Sequence, residues 1–90
     1  PIPNEYSIDQ PYPNPFNPVT VINYGLPEPS NISINIYDIR GRAIYEESKN
    51  GLEAGYYTFH WNASTYSSGI YFIQFQASDL VKIYRVLLLK

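Results

Sequence analysis

The chain has no cysteine and no methionine among its 90 residues. Without cysteine, neither a disulfide nor a thiolate metal site can staple the fold. That absence leaves the compartment open. Basic clusters are missing too: six Lys and Arg stand against eight Asp and Glu, for a net charge of −2. A nucleic-acid footprint is therefore not expected. No apolar run approaches the ~20 residues that span a bilayer as a helix, so no transmembrane segment is expected. His60 is the only histidine, and no serine, cysteine or acid stands at a motif spacing from it. A catalytic triad has no support, and His60 reads as a surface or structural residue. No enzyme activity, no cofactor and no metal are expected. The chain starts at Pro1 with neither an initiator Met nor a signal peptide, so a piece of a longer protein is expected.

Proline is unevenly placed. All eight prolines lie at or before Pro29, and residues 30–90 have none. That divides the chain into a stiff, extended entry and a segment free to form sheet ladders. Residues 1–11 read as a linker, with Tyr6 to Ile8 able to form a short edge strand. Residues 12–90 read as one domain. At this size it buries roughly 60–65% of its unfolded surface, so the core is thin. Ten Tyr, four Phe and one Trp carry much of that burial. The entry ends in Tyr12-Pro13-Asn14-Pro15-Phe16-Asn17-Pro18. Its three prolines fix φ and remove three donors, and Tyr12, Asn14 and Asn17 are pushed toward extended backbone. The asparagines favour turns, and Phe16 is the one large apolar anchor.

Six strands follow in order. From Val19 to Leu26, Ile22, Tyr24 and Leu26 alternate with Val21, Asn23 and Gly25, the first set inward. Pro27 to Ser30 breaks the run. Asn31 to Ile39 is the cleanest strand, with Ile32, Ile34 and Ile36 on one face. Asp38 to Gly41 forms a tight turn. Arg42 to Glu47 returns as a short polar strand with Ile44 as its core residue. Lys49 to Ala54 reads as a loop. Gly55 to Trp61 places Tyr57, Phe59 and Trp61 on one face. Asn62 to Ser68 is a polar loop. Gly69 to Ala77 alternates Tyr71, Ile73 and Phe75 with Phe72, Gln74 and Gln76. The last segment fits a helix template through Leu80, Ile83, Tyr84, Leu87 and Leu88, and equally a strand from Val81 to Leu89. The β-branched Val81, Ile83 and Val86 favour the strand. Its apolar residues on both faces call for burial on both sides or a cover from the Pro-rich entry. The pattern is that of an all-β, antiparallel β-sandwich.

Other candidate sites read as structural. Glu46 and Glu47 are adjacent on a strand and point to opposite faces, so they cannot act as a close carboxylate pair and read as solvated charge. Asp9, Asp38 and Asp79 sit in turns and read as caps, since no loop offers the oxygen density of a calcium site. Asn31-Ile32-Ser33 and Asn62-Ala63-Ser64 match the N-glycosylation pattern, a common chance tripeptide. Tyr56 and Tyr66 read as exposed rings able to stack on sugars or simply to cover the surface. Gly25, Gly41, Gly51, Gly55 and Gly69 punctuate strand ends and turns.

The Tyr12–Pro18 phrase, followed by Thr20, Ile22, Tyr24 and Leu26-Pro27, resembles the opening of the type A C-terminal sorting domain of the type IX secretion system. The similarity continues through Ile36-Tyr37-Asp38, Gly41-Arg42, Ala54-Gly55, Trp61-Asn62, Ser68-Gly69-Ile70-Tyr71-Phe72 and Leu88-Leu89-Lys90. It spans about residues 6–90, with Asn62 standing where the family commonly has an acid. The resemblance implies an immunoglobulin-like sandwich of about seven strands acting as an export address for a larger protein. It implies passage through the periplasm, recognition by the outer-membrane type IX translocon, and delivery outside the cell or to its surface. It also implies removal by a sortase-like peptidase near or before residues 1–11, where an exposed linker gives a protease access. Residues 81–90, above all Leu88, Leu89 and Lys90, are the expected recognition element. A passive immunoglobulin-like spacer, as in flagellar hook-capping proteins, or a carbohydrate-binding accessory of a secreted enzyme are the competing readings. Oligomeric state is not legible.

Overall fold

The computed structural model describes residues 2–90 and is built of strands alone. In chain order they are β1 (Ser7–Ile8), β2 (Val19–Leu26), β3 (Ser30–Tyr37), β4 (Ala43–Leu52), β5 (Gly55–Asn62), β6 (Gly69–Ala77) and β7 (Leu80–Leu88). They form a three-stranded sheet ordered β1-β2-β5 and a four-stranded sheet ordered β4-β3-β6-β7. Every pair of strands is antiparallel. The arrangement is the antiparallel β-sandwich that the strand periodicity predicts, and it is consistent with the immunoglobulin-like form that the resemblance implies.

Alternation decides which side chains lie between the sheets. Register pairs Ile36 with Ile73 and Ile34 with Phe75 on the inner face of one sheet, and Ile22 with Phe59 on the other. All of these but Phe59 are essentially inaccessible. Thr20 shares the inner face of β2 and is also buried. Aromatic rings join the two layers. Tyr24 meets Phe75 at a centroid distance of 4.7 Å, and Trp61 meets Tyr71 edge-on at 5.4 Å. Such pairs add roughly 0.5–1.5 kcal/mol each beyond area burial. The closing segment is the strand β7, because its β-branched residues and its register against β6 favour extended backbone.

Five details differ from the sequence reading. β3 stops at Tyr37, and Ile39 lies in the following turn, exposed. β4 does not end at Glu47: it runs to Leu52, taking in the stretch expected as a loop. Its polar residues pass as strand because the long, apolar β3 supplies a complete ladder for them, with irregularities at Ser30/Ile32 and Ile36/Tyr37. At the second irregularity Ile44 and Tyr45 are both half-buried, so Ile44 is not the sole apolar contribution of β4. Tyr45 reaches Phe59 at 5.8 Å. Its hydroxyl donates to Glu47, so Glu47 is partly covered rather than simply solvated. Tyr66, expected as an exposed ring, is half-buried: it donates to the Ile44 carbonyl at 3.0 Å and packs against Trp61.

Residues before β2 also pack on the sandwich. Pro3, Ile8 and Pro11 are buried. A Cβ at Gly25 would lie 3.1 Å from Pro3 Cγ and 3.0 Å from Ser7 Oγ. Glycine there permits the close approach of this first segment.

Burial of Tyr24, helped by the nearby Glu47 and Tyr57, pushes its hydroxyl from 10.0 up to about 12. The folded state therefore favours the neutral phenol. That contribution is complete below pH 10 and is lost as pH rises toward about 12. Urea midpoints should fall across this interval, and less steeply in Tyr24→Phe; equal slopes for the two proteins would contradict the assignment.

Candidate recognition site: the strapped closing strand

The Pro-rich lead-in is not a tether hanging off the fold. Segment 7–12 runs along β2, and the chain then crosses to the other sheet. Asp9 N–H donates to the Asn23 carbonyl at 2.8 Å, and Tyr12 and Val21 exchange two backbone bonds at 2.9 Å. Thr20 Oγ1 donates to the Pro13 carbonyl at 2.9 Å. This bond satisfies a hydroxyl that would otherwise be buried alone, at a cost of about 1–3 kcal/mol.

Beyond Pro13 the chain reaches the outer edge of β7. Asn14 acts there as a backbone mimic. Its Nδ2 donates to the Arg85 carbonyl at 2.9 Å, and its Oδ1 accepts from Leu87 N–H at 3.0 Å. Phe16 continues in parallel register with Leu88. Its N–H donates to the Leu87 carbonyl at 2.9 Å, and its carbonyl accepts from Leu89 N–H at 3.0 Å. The Phe16 ring is buried and lies 5.5 Å from Trp61. The phrase thus closes the sandwich along the edge of β7 and covers its apolar end only in part: Leu88 is buried and Leu87 half-buried, while Leu89 and, upstream, Ile83 stay exposed. Proline suits the task because these positions need extended backbone and few donors. Pro13, Pro15, Asn17 and the Tyr12 ring face outward, while Pro18 is partly covered.

Of the other motif residues, Asp38, Gly41 and Tyr71 support this corner. Asp38 Oδ1 accepts from Arg40 and Arg42 N–H at 2.9 and 3.0 Å, and Oδ2 accepts from Arg42 Nε at 3.2 Å. Gly41 takes φ +84° in the same turn, a conformation that favours glycine. These bonds, the one from Arg42 N–H first, hold the Asp38 carboxyl below its ordinary 3.8. Tyr71 donates from its hydroxyl to the Ser67 carbonyl at 2.6 Å and braces the loop before Gly69. Gly55 opens β5 at the far end from this corner. The Asn31 side chain accepts from Gly51 N–H on the neighbouring β4, and that of Asn62 accepts locally from Ser64 N–H. His60 is exposed. Among the described residues no group of His, Cys, Asp and Glu could hold a metal, and no helix is long and apolar enough to cross a membrane.

The three closing residues separate. Leu88 is fully buried, whereas Leu89 is half exposed. Lys90 is exposed, with N–H donating to Ser68 Oγ at 3.0 Å and Nζ to the Ser64 carbonyl at 2.6 Å. Upstream, the strap leaves β7 bare. By alternation, the backbone groups of Val81 and Ile83 point the same way as those of Leu87, and among the described residues they have no partner. Lys82 lies on the inner-face register opposite Phe75, the placement by which edge strands resist indiscriminate pairing.

A scan against known protein families matches residues 10–89 to the secretion system C-terminal sorting domain. The chain belongs to the type IX secretion C-terminal sorting domain family. A search of the curated proteins finds no match. The sorting domain is a signal and not a catalytic unit, and it marks a secreted or cell-surface protein that engages the type IX system. The strap's partner on β7 escaped sequence reasoning. Asn14 could be read as a turn former, but nothing local shows that it bonds across 71 residues.

Replacing Asn14 by Ala should lower unfolding free energy by about 0.5–1.5 kcal/mol, because two exposed β7 backbone groups exchange their partner for water. Asn17, with no side-chain bond among the described residues, should tolerate Ala within about 0.5 kcal/mol. Equal losses in urea titrations would contradict this division. The depressed Asp38 pKa means that its contribution is complete above 3.8 and is lost as pH falls through the lower folded value. An NMR titration should give Asp38, and the Arg40 and Arg42 amides with it, a midpoint below 3.8; one at or above 3.8 would count against the turn as described.

Proposed function

We propose that the type IX translocon reads this sorting domain as a folded object, at the end of the sandwich where β7 closes. The observation that supports the reading is the strap. Asn14 and Phe16 fix the end of β7 from outside, so Leu89 and Lys90 emerge from a rigid base. A preorganised element loses less entropy on docking than a loose tail. Leu88, the third residue of the recognition hypothesis, then serves by anchoring the strand inside, while Leu89 and Lys90 meet the receptor. The bare edge at Val81 and Ile83 offers an added main-chain contact, by the strand-addition mode of peptide recognition.

In this reading the parent protein passes through the periplasm, crosses the outer membrane, and is cut by a sortase-like peptidase for release or surface anchoring. Residues 7–12 are tied to β2 by backbone pairing, while Ile2, Asn4 and Glu5, on either side of the buried Pro3, are exposed. A protease needs extended, accessible backbone. The cut therefore falls at or before Glu5 rather than nearer the sandwich. The sugar-platform alternative loses one of its two rings, because Tyr66 serves the interior.

The test uses substitutions that keep the backbone, since Leu89 N–H holds the strap. A secreted reporter fused to residues 1–90 should reach the cell surface. The Leu89→Ser, Lys90→Ser double variant, shown to be folded by its denaturation midpoint, should accumulate in the periplasm. Normal surface delivery of that folded variant would refute recognition through these two residues.

A further inference from the structure

Four of the six cationic side chains gather at the end of the sandwich where β7 finishes: Arg40, Arg42, Arg85 and Lys90. Two clefts lie there. One, of about 580 Å³, has Asp38, Ile39, Arg40 and Arg42 on one wall and Thr65, Ser67 and Ser68 on the other. The second, of about 300 Å³, lies between Asn14, Pro15, Arg85 and Leu87. Ile70 lines both. The two clefts therefore flank one apolar side chain, with Arg40 and Arg42 on one side of it and Arg85 on the other, and are treated together as one groove. Only Asp38 contributes negative charge to it, and that carboxylate is already engaged by Arg42. Arg40 and Arg85 have no ion pair among the described residues. The Arg42 side chain is 72% exposed and Ile39 is 69% exposed. The other seven carboxylates lie outside the groove walls, so a chain of net charge −2 presents here a locally cationic channel with hydroxyl donors along one side.

We propose that this groove docks an extended acidic segment of a partner protein of the export machinery, carboxylates at the arginines and an apolar side chain over Ile70. The identity of the partner rests on the export reading; the chemistry of the groove does not. Charge complementarity selects an acidic chain. Shape and charge count select a peptide over a lipid surface. Membrane recognition by electrostatics uses roughly four to eight basic residues close together at about 1 kcal/mol each. Here the cations are spread along a concave channel on a net-negative body.

The test compares Arg40→Glu/Arg85→Glu with Lys49→Glu/Asn4→Glu/Gln10→Glu, which makes the same change in net charge away from the groove and from the β7 edge. Fluorescence anisotropy with a labelled poly-glutamate peptide carrying interspersed leucines reads affinity. The groove variant should bind about tenfold more weakly, the sum expected for two exposed charges reversed from attraction to repulsion. The control should stay within about twofold of the unaltered chain. Binding to the unaltered chain should weaken steadily as salt shortens the screening length from about 30 to about 3 Å, a reading that needs no variant to fold. Equal losses in both variants, salt-independent binding, or preference for phosphatidylglycerol vesicles over the peptide would overturn the proposal. The reporter fusion supplies the second arm. Export by the unaltered domain but not by the folded groove variant supports docking. Export by both overturns docking and leaves the sorting role standing. Export by neither refutes the sorting role, and the anisotropy result then decides the groove alone.

Discussion

Four hydrogen bonds between the lead-in and the edge of β7 hold together what the strands alone would leave open. Two come from the Asn14 side chain and two from the Phe16 backbone. Without them the end of β7 would be an unpaired edge carrying a leucine-rich strand, a template for unwanted association. With them the lead-in and the last strand are joined, and Phe16 is delivered against Trp61 between the layers. Segment 7–12 belongs to one sheet and segment 14–16 to the other, so the lead-in stitches the sheets as well as covering the strand. A small domain without disulfides has few other devices for this.

The same constraint gives the signal its physical form. An address must differ from an unfolded tail to be read reliably, and rigid presentation at low entropic loss is one way to differ. The strap makes the end of β7 conditional on the entry being in place, and the reverse also holds. Truncation at either end is therefore felt at the other. Asp38, Gly41, Trp61, Gly69 and Tyr71 fit this picture as supports of the same corner: one turn, one ring cluster and one braced loop around the place where the strap lands. Gly55 lies at the far end and belongs to the framework instead.

Much of the fold was legible because strand alternation is a local signal. Ile32, Ile34 and Ile36, then Tyr71, Ile73 and Phe75, spell their inner faces without help from the rest of the chain. The boundaries of β4 were not legible. Lys49, Asn50 and Gly51 carry loop chemistry, and only the neighbouring β3 turns them into a strand. Tyr66 illustrates the same limit: a tyrosine in a polar loop looks exposed until Trp61 and Ile44 are placed beside it. The candidate site was half readable. The phrase Tyr12–Pro18 announced itself by composition, and the apolar ends of β7 announced the need for a cover. The pairing of the two through Asn14 is a long-range fact that local sequence does not encode.

Native-state hydrogen exchange addresses the strap most directly. If the four bonds are part of the cooperative core, the Leu87 and Leu89 amides will exchange only through global unfolding, within about 1 kcal/mol of the central amides of β3 and β6. Exchange at Leu87 and Leu89 by a much cheaper local opening, with β3 and β6 still protected, would show that the lead-in merely rests on the sandwich and would contradict the account.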